Sequence, residues 1–165
     1  MKLKEQGVER DGMSKELYDL FIEILRLEYN KAQFLKGAQF YCWAHGFEDY
    51  SRFFASMSNQ CNSCRNDFID YLLGKFEKIP EIQIDGIKVE YKDVEEVFST
   101  FVEFEESFVE LLERIVTKAK ELNDVYAMAF TMPILNKIDH IACRALEAVR
   151  NDQNPYDLLA FGRYK

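Results

Sequence analysis

Residues 77–92, EKIPEIQIDGIKVEYK, form a long stretch without a helical face between segments that do have one. The stretch contains Pro80 and Gly86, and its β-branched residues alternate with polar ones, which favours extended backbone over helix. Apolar residues recur at helical spacing on both sides of it. We therefore predict a long extended connection between one pair of helices and a second pair.

Four helices are predicted from the apolar periodicity: helix A at about 14–44, helix B at about 53–74, helix C at about 93–122 and helix D at about 125–151. Ser14 and Asp93 are the expected N-caps of helices A and C. Pro133 should bend helix D, because proline lacks the amide donor and clashes with the preceding turn. A short terminal helix is expected at about 155–162.

The connections between these helices are short, long and short, in that order. This pattern predicts an all-α fold, an antiparallel four-helix bundle with a long B–C crossover and a short C-terminal helix. The length of 165 residues suits a single domain, 1–165, whose bundle spans about 14–151.

Composition narrows the class of protein. Seven Gly and three Pro are too few for a sandwich of many short strands. A formal net charge of −8 argues against a nucleic-acid partner. There is no run of 18 apolar residues, and the N-terminal segment is too polar for a signal peptide, so we expect no membrane partner and a cytoplasmic location. The four Cys are expected as free thiols or metal ligands.

Two carboxylates interrupt the apolar stripes of the predicted helices. Glu28 in helix A and Glu105 in helix C each occupy a position where the stripe demands an inward residue. A buried carboxylate needs a partner, which can be a metal ion or a shared proton. The alternative is that each reaches solvent near a helix end or pairs with Lys or Arg.

Helix B places Cys61 and Cys64 three residues apart on its inward face. A C-x-x-C pair can chelate zinc, carry redox chemistry, or consist of two small buried side chains. Beside two inward carboxylates, metal binding gains weight. Thiolates favour zinc or ferrous iron, whereas carboxylates suit harder ions.

The other candidate residues have simpler interpretations. His140 is expected at the surface and His45 in the turn between helices A and B, while Cys42 and Cys143 are expected to be half-buried. Trp43 is expected in the core.

Several segments resemble ferritins: RLEYNKAQF at 26–34 in helix A, FYCWAHGFED at 40–49 at the end of helix A and in the A–B loop, KIPEIQID at 78–85 in the crossover, EEVFSTFVEFEESFVELL at 95–112, and PILNKIDH at 133–140. The resemblance covers about 140 residues. Ferritins oxidise Fe(II) at a di-iron centre built from Glu of helix A, Glu-x-x-His of helix B, Glu of helix C and usually Gln of helix D. Glu28 and Glu105 match the ligands of helices A and C.

The chain departs from this pattern in helices B and D. Cys61 and Cys64 stand where the family has Glu and His, and Ile138 stands at the glutamine position. Asn62 replaces the Met that haem ligation in bacterioferritins would need, so no haem is expected. With these substitutions, the resemblance implies a remodelled metal site at Glu28, Cys61, Cys64 and Glu105.

The resemblance implies an iron storage or sequestration subunit of a homo-oligomeric hollow shell of about 24 subunits. Its metal would be iron, with zinc as the alternative ion at the Glu/Cys site, and its ferroxidase centre would be weak or inactive. Two alternatives stay open: an active oxidoreductase using Fe(II) with dioxygen or peroxide, and a metal-binding or structural shell protein that stores nothing. On balance, we do not expect the chain to be an enzyme. If it is active, we expect a ferroxidase.

Overall fold

The computed structural model describes residues 14–76 and 79–159 and is all-α over those ranges, with no strand in either of them. The helices are α1 (Lys15–Ala44), α2 (Glu48–Lys75), α3 (Val94–Glu121), α4 (Val125–Asn136) and α5 (Ile141–Arg150), followed by a 3-10 helix at Pro155–Leu159. The all-α prediction is confirmed, as are the three long helices and a short terminal helix that begins at Pro155. The predicted end of that helix, at about 162, lies outside the described residues.

Side-chain caps fix where three of these helices begin. The Ser14 hydroxyl accepts from the Leu17 amide at 3.1 Å, and Asp93 Oδ1 accepts from the Glu96 amide at 2.8 Å. Asp124 caps α4 in the same way, accepting from the Ala127 amide at 3.0 Å. Each cap satisfies an amide that has no partner within its own helix.

The prediction of one continuous helix D bent at Pro133 is wrong. Pro133 lies inside α4, which continues to Asn136, and residues 137–140 separate α4 from α5. The helix is interrupted because His140 adopts left-handed backbone (φ 56°, ψ 39°), which cannot continue a right-handed helix. Ile138, predicted to lie on helix D, therefore lies in this interruption.

The chain forms two compact units. The first contains the described residues of Met1–Glu28, Cys64–Gln83 and Ser107–Ile138, and the second contains those of Tyr29–Ser63, Ile84–Glu106 and Asp139–Lys165. Aromatic side chains build both cores. Phe21, Phe68 and Phe130 pack together in the first unit, with ring centroids 5.2 to 6.3 Å apart. Phe54 and Phe98 pack at 4.8 Å in the second.

The end of α1 differs from the sequence prediction at one aromatic residue. Trp43 is not in the core, because its side chain is 67% exposed while its neighbours Tyr41 and Cys42 are buried. His45 lies in the turn as predicted, with its ring stacked on Tyr41 at a centroid distance of 4.1 Å. Gly46 follows with φ +80°, a left-handed conformation that suits glycine at a helix end.

Candidate metal centre

Glu28 lies in a fully buried position of α1, as its stripe predicts, with 0% of its surface exposed. The inward residues of this helix follow one another at intervals of three or four: Leu17, Phe21, Ile24, Glu28, Lys31, Leu35, Ala38 and Cys42. A carboxylate in such a stripe is desolvated, and desolvation makes it dependent on hydrogen bonds or on a cation.

Lys31 is a functional candidate that the sequence prediction missed. Its ammonium nitrogen lies 2.8 Å from Glu105 Oε1, and the two side chains are only 10% and 19% exposed. The signal was present in the sequence, since Lys31 follows Glu28 by three residues on the same face of α1. Glu105 therefore pairs with a lysine, which is one of the alternatives to metal binding that the sequence left open.

Cys61 is buried in α2, and Cys64, one turn further along the helix, is half-buried. Neither cysteine forms a disulfide. Their spacing places them on one face of α2, as predicted. Thiols bind a metal as thiolates, so ligation here would require both groups to lose their protons.

Glu28 and Cys64 belong to the first compact unit, and Cys61 and Glu105 belong to the second. Within residues 14–76 and 79–159 no group of three or more His, Cys, Asp or Glu side chains is placed to hold a metal ion. Joint metal ligation by the four predicted residues therefore stays a prediction. Ile138 is half-buried and supplies no donor atom.

Cys42 and Cys143 differ in exposure, although both were predicted to be half-buried. Cys42 is fully buried, and burial raises the pKa of its thiol from 9.0 to about 12. It therefore remains protonated near neutral pH. Cys143 is exposed. In the part of the chain that the structure describes, no helix is both long enough and apolar enough to span a membrane.

Comparison with known proteins identifies the family. The sequence matches the ferritin-like domain family over residues 18–151. No curated protein sequence is significantly similar to the chain. Among solved structures, the apo-ferritin from Pseudo-nitzschia multiseries superposes with a TM-score of 0.67 at 20% identity, covering 90% of this chain and 99% of that one. A PmFTN variant with Glu replaced by Gln, soaked in iron for 45 minutes, gives a TM-score of 0.67 at 21% identity, with coverages of 88% and 97%.

These likenesses confirm the predicted fold, an antiparallel four-helix bundle with a long crossover and a short C-terminal helix. The fourth helix of the bundle is divided here into α4 and α5. Because the family match covers most of the sequence, the chain belongs to the ferritin family.

Proposed function

We propose that this chain is an iron-storage subunit of a homo-oligomeric ferritin-type shell of about 24 copies, with a remodelled ferroxidase centre that is weak or inactive. Iron is the cargo of the shell. The centre would be the region of Glu28, Cys61, Cys64 and Glu105. Membership of the ferritin family supports the storage role, and the iron-soaked neighbours support iron as the metal.

The proposal of a weak centre rests on the ion pair between Lys31 and Glu105. An ammonium at 2.8 Å already neutralises the Glu105 carboxylate, and a protonated lysine has no lone pair to offer a metal. A ferrous ion would have to displace the ammonium or bind beside it against charge repulsion. Both routes are unfavourable in a site where the two partners are largely buried, because separating a buried pair leaves an uncompensated charge.

The donor set of helix α2 supports the same conclusion. Carboxylates bridge pairs of hard ions, whereas the two thiols at Cys61 and Cys64 suit zinc or a single ferrous ion. A thiolate beside an oxidising iron centre is also prone to oxidation to the sulfenic and higher acids. An active oxidoreductase, the alternative function, would additionally need Glu105 to leave Lys31.

Iron oxidation under air tests the weak centre. Apoprotein is mixed with one to two Fe(II) per subunit, and ferric absorbance is followed against buffer and against a ferritin with an intact centre. We expect a rate within about twofold of buffer. A fast phase that consumes stoichiometric Fe(II) would show that the centre is active.

Particle size and mineral content test the storage role separately. Sedimentation should show a closed assembly of about two dozen subunits, and electron microscopy after slow iron loading should show dense cores inside it. An assembly too small to enclose a cavity would rule out storage in a shell. An assembly that forms without mineral would instead support a metal-binding or structural shell protein that stores nothing.

A further inference from the structure

Cys61 and Cys64 are two cysteines of unequal exposure on one turn of α2. The Cys61 side chain is buried, with 3% of its surface exposed, whereas Cys64 is half-buried. Both lie in the single helix Glu48–Lys75, so the helix itself sets the distance between them. Residues three apart in a helix have Cβ atoms about 5–6 Å apart, and the cysteines of a disulfide have theirs about 3.5–4.5 Å apart. Joining this pair therefore requires a local shift of about 1–2 Å.

The helix around the pair is weak enough to make that shift. Six of the eleven residues 56–66, SMSNQCNSCRN, are Ser or Asn. These side chains compete for backbone hydrogen bonds and have a lower helix propensity than Ala, Leu or Lys. A local distortion between Cys61 and Cys64 therefore costs less here than it would in a helix built from strong helix formers.

The difference in exposure sets the order in which the two cysteines react. A small oxidant in solution reaches the half-buried Cys64, and burial shields Cys61 from the same reagent. We propose that the two cysteines act as a dithiol that reduces hydroperoxides, with Cys64 attacking the peroxide and Cys61 resolving the product. This activity goes beyond iron storage, because neither a metal ion nor a closed shell takes part in it.

The reaction has two steps whose atoms and electrons balance. The Cys64 sulfur attacks the peroxide and the O–O bond breaks. Cys64 becomes a sulfenic acid, and the peroxide leaves as an alcohol, or as water when the reagent is hydrogen peroxide. The Cys61 sulfur then attacks the Cys64 sulfur, and water leaves as the disulfide forms. The two sulfurs together lose two electrons, and the peroxide gains them.

The disulfide formed in this way should be readily reversible. A bridge that forces its Cβ atoms together stores strain, and strain makes a disulfide easier to reduce. A thiol reductant therefore closes the cycle by exchange with the disulfide. While the bridge exists, Cys61 and Cys64 offer no thiolate to the candidate metal centre, because metals bind the thiolate form.

Peroxide treatment of the full-length, metal-free protein tests this activity. The Cys143→Ser variant is used, because the exposed Cys143 would react independently of the pair. Reduced protein receives hydrogen peroxide, remaining thiols are alkylated in denaturant, and trypsin releases residues 53–65, which contain the pair and no other cysteine. We expect this peptide to be unalkylated and about 2 Da lighter than its dithiol form, and dithiothreitol should restore both thiols. The peptide 37–52 carries the buried Cys42 and should remain alkylated.

Replacing each cysteine of the pair in the same Cys143→Ser chain tests the order of the steps. Cys61→Ser should form no disulfide and should accumulate the Cys64 sulfenic acid at least about tenfold more, measured as its dimedone adduct. Cys64→Ser should leave Cys61 alkylated at the same peroxide dose. Circular dichroism shows whether each variant is folded.

Three results would overturn the activity. Peptide 53–65 would stay fully alkylated at a dose that oxidises Cys143 in the parent chain, or it would gain oxygen without losing two hydrogens, or it would appear only as two cross-linked copies. The Cys143→Ser measurement leaves the pair intact, so it decides the matter even where Cys61→Ser does not fold. These results leave the storage role standing, because mineral content tests that role separately.

Discussion

Replacing Lys31 by Met should destabilise the fold far more than removing an exposed lysine. At 2.8 Å and an effective dielectric constant of about 20, the direct attraction between Lys31 and Glu105 is about 6 kcal/mol. Desolvation offsets part of this attraction. Removing one partner of a buried pair costs about 3–5 kcal/mol, and since Glu105 keeps 19% exposure we expect about 3 kcal/mol.

The matched control is Lys15→Met. Lys15 pairs with Asp19 at the same 2.8 Å in the same helix, but the two side chains are 61% and 57% exposed. Water screens that pair, so its loss should change stability by less than about 1 kcal/mol. The two variants share the mutated residue type, the helix and the distance between the paired atoms, and they differ in burial and in the partner, which is Asp19 of α1 in one pair and Glu105 of α3 in the other.

Urea unfolding at matched subunit concentration measures both variants. A loss of about 3 kcal/mol corresponds to a fall of about 6 to 12 °C in Tm for a chain of this size. The double variant Lys31→Met/Glu105→Leu should recover most of the loss, because it removes both charges. Equal costs for Lys31→Met and Lys15→Met would refute the reasoning that burial makes this pair important.

Three further predictions concern backbone conformation, a buried hydroxyl and a buried thiol. Gly46→Ala should destabilise the fold by about 1 kcal/mol because φ is +80° at that position. Gly74→Ala should stabilise it by about 0.5 kcal/mol because the residue lies in α2 with open space around the added Cβ. Chemical unfolding should therefore show changes of opposite sign in the free energy of unfolding. Thr131→Val should stabilise by up to about 1 kcal/mol because the buried Thr131 hydroxyl lacks a hydrogen-bond partner among the described residues. Thr100→Val should destabilise by a similar amount because it removes a bond to the Glu96 carbonyl; a change of the same sign in both would contradict this account. The stability that Cys42 contributes should be complete below pH 9 and lost as the pH rises towards 12, because between these values the thiol ionises readily only in the unfolded chain. Urea unfolding at a series of pH values should show a smaller alkaline loss of stability in Cys42→Ala than in the parent chain.

The fold was largely predictable because its signals are local. Ser14 and Asp93 cap helices where the apolar stripes begin, and the Pro80 and Gly86 stretch interrupts them. The break in the fourth helix was not predictable, since Pro133 is tolerated inside α4 and the left-handed residue is His140, a type with only a modest preference for that conformation.

The candidate site was only partly predictable. Periodicity predicted inward positions for both Glu28 and Glu105, because a stripe shows which way a side chain points. Glu28 is buried, whereas Glu105 is half-buried. It did not identify the partner of Glu105, since that depends on which lysine of another helix comes within reach. Lys31 lay on the stripe, but a long flexible side chain at such a position commonly extends to solvent, so position alone did not indicate burial.

Anaerobic Fe(II) titration, at no more than one ion per subunit, tests the central claim that Lys31 keeps the centre weak. Calorimetry compares the parent chain, Lys15→Met and Lys31→Met after circular dichroism has confirmed that each is folded. The account predicts no saturable tight binding in the first two and at least about a tenfold gain in Fe(II) affinity in Lys31→Met, because the competing ammonium is gone. Tight stoichiometric binding by the parent chain, unchanged in Lys31→Met, would contradict it.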